Sequence, residues 1–196
     1  MNRSSSILAL CFICFSALTW ADSGFYLGAG IASGSMTACT KTSTSDCSNT
    51  YTAYSREAGN IRLLGGYAFG RHFAIEAGLS SLGTYNVRNS AGTVVGETKA
   101  SAISIAAKGT ITFPKGWSIF GKAGLGGTRM RYSAKPGWVL LMPAEQTSGG
   151  LLLGAGGQYD FSESMAVRLW TEAISFNDDA YSGAVGGTAI AAIFKF

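Results

Sequence analysis

Apolar residues alternate with small or polar residues in eight segments of the chain. In the second segment, Ile61, Leu63 and Tyr67 share one face, while Asn60 and Arg62 share the other. Successive side chains of a β-strand point to opposite faces, so this period of two predicts strands. The predicted strands lie near residues 24–34, 57–69, 72–84, 98–113, 117–132, 148–160, 164–176 and 184–196.

The connections between these predicted strands alternate in length. Three are tight, at residues 70–71, 114–116 and 161–163. The others are long and polar, at residues 35–56, 85–97, 133–147 and 177–183. An even number of strands joined by short turns on one side and long loops on the other is typical of outer-membrane barrels.

The composition supports a membrane protein without membrane helices. Hydrophobic residues make up 47% of the chain and charged residues only 13%, about half the usual charged share. Beyond residue 20 no segment approaches the ~18 consecutive apolar residues that a spanning helix needs. A closed barrel is the remaining way to pair every backbone group in lipid. The sequence therefore predicts an all-β fold, an eight-stranded antiparallel transmembrane up-and-down β-barrel.

The N-terminus predicts export. Arg3 gives a short basic start, residues 7–18 form an apolar core, and Ala21 offers a small residue for cleavage. We interpret residues 1–21 as a secretory signal peptide and residues 22–196 as the barrel domain. A retained anchor is the alternative, but the apolar run is short for a span. The predicted location is the bacterial outer membrane, crossed several times.

The net charge and the cysteines limit the classes of ligand and covalent link that the sequence predicts. The formal net charge of +4 is mild and argues against nucleic acid, whose binders carry clustered basic faces. Cys39 and Cys47 follow the signal peptide in a Ser/Thr-rich segment, so we expect a disulfide that closes a small loop. Metal binding is the weaker alternative, because no His or further Cys lies nearby. We expect no cofactor.

Several short motifs resemble the OmpA-type barrel and its opacity-protein and surface-antigen relatives. The chain ends with AIFKF at 192–196, and YAFGRHFAIEAG at 67–78 is similar to the second hairpin of these barrels. Further similar runs are AAKG at 106–109, GKAGLG at 121–126 and VRL at 167–169. The resemblance concerns the barrel domain only. It implies that Phe194 and Phe196 form a C-terminal signal read by the outer-membrane insertion machinery.

Strand parity predicts a charged barrel interior. Isolated charges in a low dielectric are costly, so inward charges must pair or be hydrated. Eight strands leave an interior just wide enough for side chains, so we expect a salt-bridge network that fills the lumen. The resemblance implies that Glu76 bridges to Lys108 or Arg168, with Gln158 where the family has a second acid. The predicted network comprises Arg62, Glu76, Lys108, Lys122, Arg168 and Glu172.

An enzymatic site is not expected. His72 is the one histidine of the chain and lies beside a short turn. Ser80 and Ser81 share its strand but lie about eight residues away, roughly 26 Å at the rise of a strand. A hydroxyl nucleophile needs its base within hydrogen-bond reach.

The long loops are the predicted functional surface. The apolar run WVLLM at 138–142 is interpreted either as a hairpin extension or lipid-resting patch, or as an adhesive contact. Arg129, Arg131 and Lys135 lie near the outer rim, where membrane lipids and the phosphates of lipopolysaccharide are expected, and arginine suits phosphate geometry. We predict a structural or surface-interaction role of the adhesin or surface-antigen type, with host surface ligands as candidate partners. A narrow channel for ions or small solutes is the alternative, and a lipid-modifying enzyme is less favoured.

Overall fold

Strands account for nearly all of the described chain. A computed structural model describes residues 23–41, 47–54, 60–88, 93–136, 145–177 and 181–196, so the predicted signal peptide lies outside the described residues. Within these ranges the one helical piece is a 3₁₀ turn at Pro114–Gly116. The nine strands are β1 Ser23–Lys41, β2 Cys47–Tyr54, β3 Asn60–Phe69, β4 Phe73–Arg88, β5 Val94–Thr112, β6 Trp117–Ala134, β7 Glu145–Asp160, β8 Met165–Asn177 and β9 Tyr181–Lys195.

The sheet closes on itself. Each strand from β3 to β9 pairs antiparallel with its neighbour in sequence, and β1 pairs with both β3 and β9. The closing pair is long, running from Tyr26 opposite Lys195 to Thr40 opposite Tyr181. This confirms the eight-stranded antiparallel up-and-down barrel, in which the pairing of β1 with β9 closes the sheet.

Strands β2 and β3 together occupy one strand position of the barrel. Both pair with the same edge of β1, β3 along residues 23–32 and β2 along residues 35–41. The other edge of β1 is occupied by β9. The nine strands therefore occupy eight strand positions around the barrel.

The strands extend further than predicted at the end of the barrel from which the long connections leave, here called the loop end. Strand β1 continues to residue 41 rather than 34, and β4 to residue 88 rather than 84. Strand β5 begins at residue 94 rather than 98. These additional residues mix polar and apolar types without a regular alternation, so backbone pairing continues where the pattern that predicts a strand has already ended.

The outer wall carries an apolar band. On β6 the outward positions from Trp117 to Gly127 are apolar or small, and Arg129 follows. At the rise and tilt of barrel strands this stretch spans about 25 Å, the height of a membrane-facing band. Large outward side chains around the wall, each at least 43% exposed, include Leu27, Ile31, Ile61, Leu63, Ile75, Leu79, Ile103, Ile105, Ile111, Ile119, Leu125, Leu151, Leu153, Leu169 and Ile190.

Aromatic residues gather at the opposite end, the turn end, where the connections at 70–72, 113–116 and 161–164 lie. Successive ring centroids are 4.8 Å apart for Phe25 and Tyr67, and 4.9 Å for Tyr67 and Phe69. A second group places Trp117 4.8 Å from Tyr159. Aromatic girdles of this kind mark the boundary between hydrocarbon and water in outer-membrane barrels.

Candidate functional site in the barrel lumen

Six charged side chains meet inside the barrel. Each is at most 8% exposed, because their strand neighbours point outward and leave them on the lumen face. They come from five strands, β3, β4, β5, β6 and β8. We call this set the charged layer; its members are Arg62, Glu76, Lys108, Lys122, Arg168 and Glu172.

Glu76 lies at the centre of one half of the charged layer. Its carboxylate pairs with the Arg168 guanidinium and accepts from Lys122 Nζ at 3.2 Å. Tyr26 Oη donates to it at 3.0 Å. Arg168 Nε in turn donates to Gln158 Oε1 at 3.0 Å. Gln158 therefore accepts from the same arginine that holds Glu76.

Glu172 organises the other half. Its carboxylate pairs with Arg62 and with Lys122, and Trp170 Nε1 donates to it at 3.1 Å. Arg62 Nε also donates to Ser80 Oγ at 2.8 Å. Because Lys122 contacts both Glu76 and Glu172, it joins the two halves across the lumen.

Aromatic rings complete the packing of the cations. Lys108 Nζ lies 4.8 Å from the ring centroid of Tyr26 and 5.6 Å from that of Phe120. The Arg168 guanidinium lies 5.0 Å from the Phe120 ring. Such contacts contribute roughly 0.5–2 kcal/mol. Of the two partners that the resemblance implies for Glu76, the structure places Arg168 against it, whereas Lys108 takes part in no ion pair of the described residues.

A second, apolar layer of lumen-facing side chains lies between the charged layer and the loop end. Tyr85 Oη donates to the carbonyl of Leu82 at 3.0 Å, which satisfies the hydroxyl within the layer. The sequence reasoning missed this feature, although most of its residues follow the same parity as the charges; Tyr85 differs because the register of β4 shifts between Ser81 and Gly83. The apolar layer comprises Leu82, Tyr85, Met130, Leu152, Ile174, Phe176 and Val185, each at most 7% exposed.

Glycines on the lumen face leave room for the large inward side chains. A Cβ on Gly66 would lie 2.4 Å from the Tyr26 ring, and one on Gly126 would lie 2.6 Å from Ile174 Cδ1. No side chain tolerates contacts that short without moving. The glycine-rich wall therefore allows a narrow barrel to contain an aromatic and charged interior.

A water-accessible cavity of about 910 Å³ lies at the turn end, below the charged layer. Its wall includes Tyr26, Lys108, Thr110, Ser118 and Gln158. At its rim Lys195 Nζ lies 2.8 Å from Asp160 Oδ1. The cavity gives Lys108 contact with solvent from one side only.

The predicted rim cations lie outside the barrel, just beyond the apolar band. Glu145 Oε1 accepts from Arg129 Nε at 2.5 Å, and Glu145 Oε2 accepts from Arg131 Nε at 3.1 Å. The hydrogen bond from Arg129 lowers the pKa of the Glu145 carboxyl. Lys135 is exposed nearby in sequence. An outward groove of about 640 Å³ joins Arg129 and Glu145 to apolar residues such as Ile103.

The residues weighed for catalysis lie apart. His72 lies in the turn at residues 70–72, with Nδ1 3.1 Å from the carbonyl oxygen of Thr110. Ser80 lies in the lumen, where its Oγ accepts from Arg62.

At the turn end Phe194 and Phe196 are exposed, by 44% and 79%.

The backbone register bears on the predicted disulfide. Cys39 lies opposite Thr50 and Cys47 opposite Lys41. The two cysteines are therefore offset by three residues along β2 but by two along β1, because the register shifts between Thr40 and Lys41. This offset is roughly 7–10 Å along the strands, whereas bridged Cα atoms are usually within about 7 Å. Their side chains, like the apolar run at 138–142, lie outside the described part of the chain, so the disulfide stays a prediction.

A closed antiparallel barrel with a lipid-facing apolar band and a charged interior defines an integral β-barrel protein of the bacterial outer membrane. The family model for the outer membrane protein beta-barrel domain matches residues 6–191. The chain belongs to this family, and its strands cross the outer membrane several times. A comparison with curated proteins finds no match.

Solved structures with the same fold are distant in sequence. OprG from Pseudomonas aeruginosa is 12% identical with a TM-score of 0.62, over 88% of this chain and 96% of that chain. Neisserial surface protein A is 16% identical with a TM-score of 0.56, over 89% and 99%. Ail, the attachment invasion locus protein of Yersinia pestis, is 16% identical with a TM-score of 0.52, over 88% and 99%. These similarities show the fold.

Proposed function

We propose that this barrel is a closed membrane anchor that acts in envelope structure or surface interaction through its extracellular connections. The observation that carries the proposal is the double filling of the lumen. The charged layer closes the interior with paired side chains, and the apolar layer follows it towards the cell surface. A barrel of this kind displays its outer segments without conducting solutes continuously.

The energetics of the charged layer support closure. A hydrated ion passing through the lumen must separate buried pairs such as Lys122 with Glu76 and Glu172. Separating one partner from a buried pair costs on the order of 3–5 kcal/mol. It must then enter the apolar layer, which offers little to replace its water shell. Both steps oppose a permanent pore.

Single-channel recording in planar bilayers tests closure. We expect wild-type barrel to give few and brief openings, and Lys122→Met to open more often because both carboxylates lose their shared cation. Lys99→Met, which removes a charge from an exposed outer position, is the matched control. Frequent, stable openings of the wild type contradict the anchor and support a narrow channel, for which the cavity at the turn end would serve as a vestibule.

Whole-cell binding tests the surface role. The β1–β2 hairpin, with its partners Ser35–Tyr54 to Lys41–Cys47, continues beyond the level of the outward apolar band. Cells that express a barrel with residues 36–53 replaced by a short Gly-Ser turn should lose binding to host cells or matrix. Replacement of the periplasmic turn at 161–164 is the control. Equal binding by both variants contradicts a role for this hairpin.

We further propose that Arg129, Arg131 and Lys135 contact the phosphates of outer-leaflet lipopolysaccharide. Arg129 and Arg131 flank the loop end of the apolar band, and the adjoining groove combines apolar and polar walls. Their pairs with Glu145 are exposed, and exposed ion pairs contribute little because water and salt screen them. Phosphate could therefore replace Glu145 at little cost.

Refolding into vesicles tests this lipid contact. Lipopolysaccharide should accelerate insertion of the wild type more than that of the Arg129→Gln/Arg131→Gln double variant. Arg71→Gln, which removes a cation at the turn end, should behave like the wild type. An equal effect of lipopolysaccharide on all three proteins contradicts the contact.

We propose no enzymatic activity for the barrel. The separation of His72 from Ser80 along β4 and the use of Ser80 Oγ by Arg62 support this. Mass spectrometry of lipid A from cells with and without the protein is the test. A change in acylation or phosphate content that depends on expression contradicts the proposal.

A further inference from the structure

The charged layer holds more positive than negative charge. Four of its members are cations and two are acids, which leaves two positive charges in excess in an enclosed interior. A buried excess charge is costly unless a counterion or polar groups compensate it. The excess charge must therefore reside on a cation that lacks a carboxylate partner.

Lys108 is that cation. Arg62, Lys122 and Arg168 each contact Glu76 or Glu172. Among the described residues, by contrast, no hydrogen bond or ion pair includes Lys108, whose ammonium faces the Tyr26 and Phe120 rings. An ammonium carries three N–H donors, and ring faces attract its charge without accepting strong hydrogen bonds. Lys108 is 7% exposed, so its charge is held almost entirely within the barrel.

The cavity at the turn end reaches this ammonium. Lys108 forms part of its wall together with the hydroxyl residues Thr110 and Ser118 and the amide of Gln158. With a volume of about 910 Å³, it has room for a small ion with much of its water shell. Two acids, Asp160 and Glu163, also line the cavity. Neither forms an ion pair with Lys108 among the described residues, and Asp160 already pairs with Lys195.

We propose that this cavity is a binding site for a small inorganic anion, with the Lys108 ammonium as its principal charge. The anion enters from the periplasmic side and compensates the excess charge of the lumen. The apolar layer above prevents onward passage, so the site binds without conducting. The proposal is independent of the surface role of the loops, and it makes the stability of the barrel depend on the anion present.

Chloride is the probe for the first test. The chloride NMR line width is measured with refolded barrel in a zwitterionic detergent. Wild type should broaden the line, and inorganic phosphate should compete for the site and reverse the broadening. Lys108→Met should lose most of this effect, whereas Lys99→Met, with the same net charge, should keep it. Equal broadening by the two variants, or no broadening by the wild type, overturns the proposal.

A second measurement does not depend on the Met variant folding. Thermal unfolding is followed by heat-modifiable gel mobility in chloride and in gluconate at equal ionic strength. The midpoint of the wild type should be higher in chloride, because an ion that binds only the folded state stabilises it. Lys108→Arg, which retains the charge, should preserve the difference. Identical midpoints of the wild type in the two salts overturn the proposal.

Discussion

At the scale of single residues, the interior depends on two carboxylates that pair with three of its four cations. Lys122 contacts both carboxylates, and Arg62 and Arg168 each contact one. Loss of either acid therefore deprives one arginine of its only carboxylate and Lys122 of one of its two. The interior should be more sensitive to the loss of an acid than to the loss of Lys108, which contacts neither carboxylate.

We predict that Glu76→Gln lowers the free energy of unfolding by about 3–5 kcal/mol, because Arg168 and Lys122 lose a buried counter-charge. Water that enters from the turn end would reduce this loss. Urea-dependent unfolding in lipid vesicles measures it. Glu163→Gln, at an exposed position of the turn at 161–164, is the control, and equal losses at both positions contradict the buried role of Glu76.

Substitutions at two glycines distinguish the effect of lumen packing on stability from the effect of replacing a glycine in the backbone. We predict that Gly66→Ala costs about 1–3 kcal/mol, because the added methyl would overlap the Tyr26 ring. Gly109→Ala should be neutral or stabilising, since nothing lies within 4 Å of the added carbon. The same unfolding assay compares them. A larger loss at Gly109 contradicts the assignment of Gly66 to a filled interior.

At the scale of strands, the faces of the barrel follow from parity. On β5, Ile105 is 56% exposed on the lipid face, and its neighbour Ser104 lies opposite Gly78 and Gly126 on the lumen face. A shift of one residue exchanges the two faces completely. The orientation of β5 can therefore be tested by placing a charge at one of these two positions and then at the other.

We predict that Ile105→Arg costs roughly 2–4 kcal/mol, because the middle of the lipid face offers neither water nor an anion. Ser104→Arg should cost less, since the lumen contains carboxylates and other polar groups, although its excess of positive charge and crowding against Gly78 limit the difference. Refolding into vesicles, with the folded fraction read from gel mobility, compares them. A consistently greater loss at Ser104 would mean that the faces are reversed.

The hairpin formed by β1 and β2 carries the predicted disulfide. We expect Cys39 and Cys47 to be oxidised after export, which requires a local change of the register that now offsets them. Alkylation of denatured, non-reduced protein measures free thiols, with the reduced protein as the control. Two reactive thiols per chain contradict the disulfide.

Parity was sufficient to place residues on a face, but not to pair them. It assigned Ile61 and Arg62 to opposite sides of β3, as the structure shows. It could not decide between Lys108 and Arg168 as partners of Glu76, because height in the lumen depends on the stagger between strands. The pattern does not predict strand β2, since its largely polar sequence lacks the apolar face that marks a strand. The apolar layer, with Leu152 and Ile174 at lumen positions, could have been read from parity and was missed.

At the scale of the whole molecule, the C-terminal strand has two roles. It closes the wall against β1, and it exposes Phe194 and Phe196 at the turn end. Phe196 N also donates to the Phe25 carbonyl at 2.9 Å, which extends the closure to the end of the described chain. A backbone contact of this kind does not need the aromatic ring.

We therefore predict that Phe196→Ser slows assembly in cells but leaves refolding in detergent unchanged. The ring is 79% exposed, so its loss removes little packing, whereas the signal that we predict for the insertion machinery would be lost. Phe161→Ser, an exposed aromatic position at the same end, is the control. Slower refolding of Phe196→Ser in detergent would show that the ring acts in folding itself.

The pairing of β1 with β9 also sets the order of events in time. Tyr26 and Lys195 meet across almost the full length of the chain, and contacts between such distant residues form slowly. Until β9 arrives, β1 presents an open edge that can capture any other extended segment. The arrival of β9 therefore ends the period in which the unfinished sheet can join to a neighbouring chain.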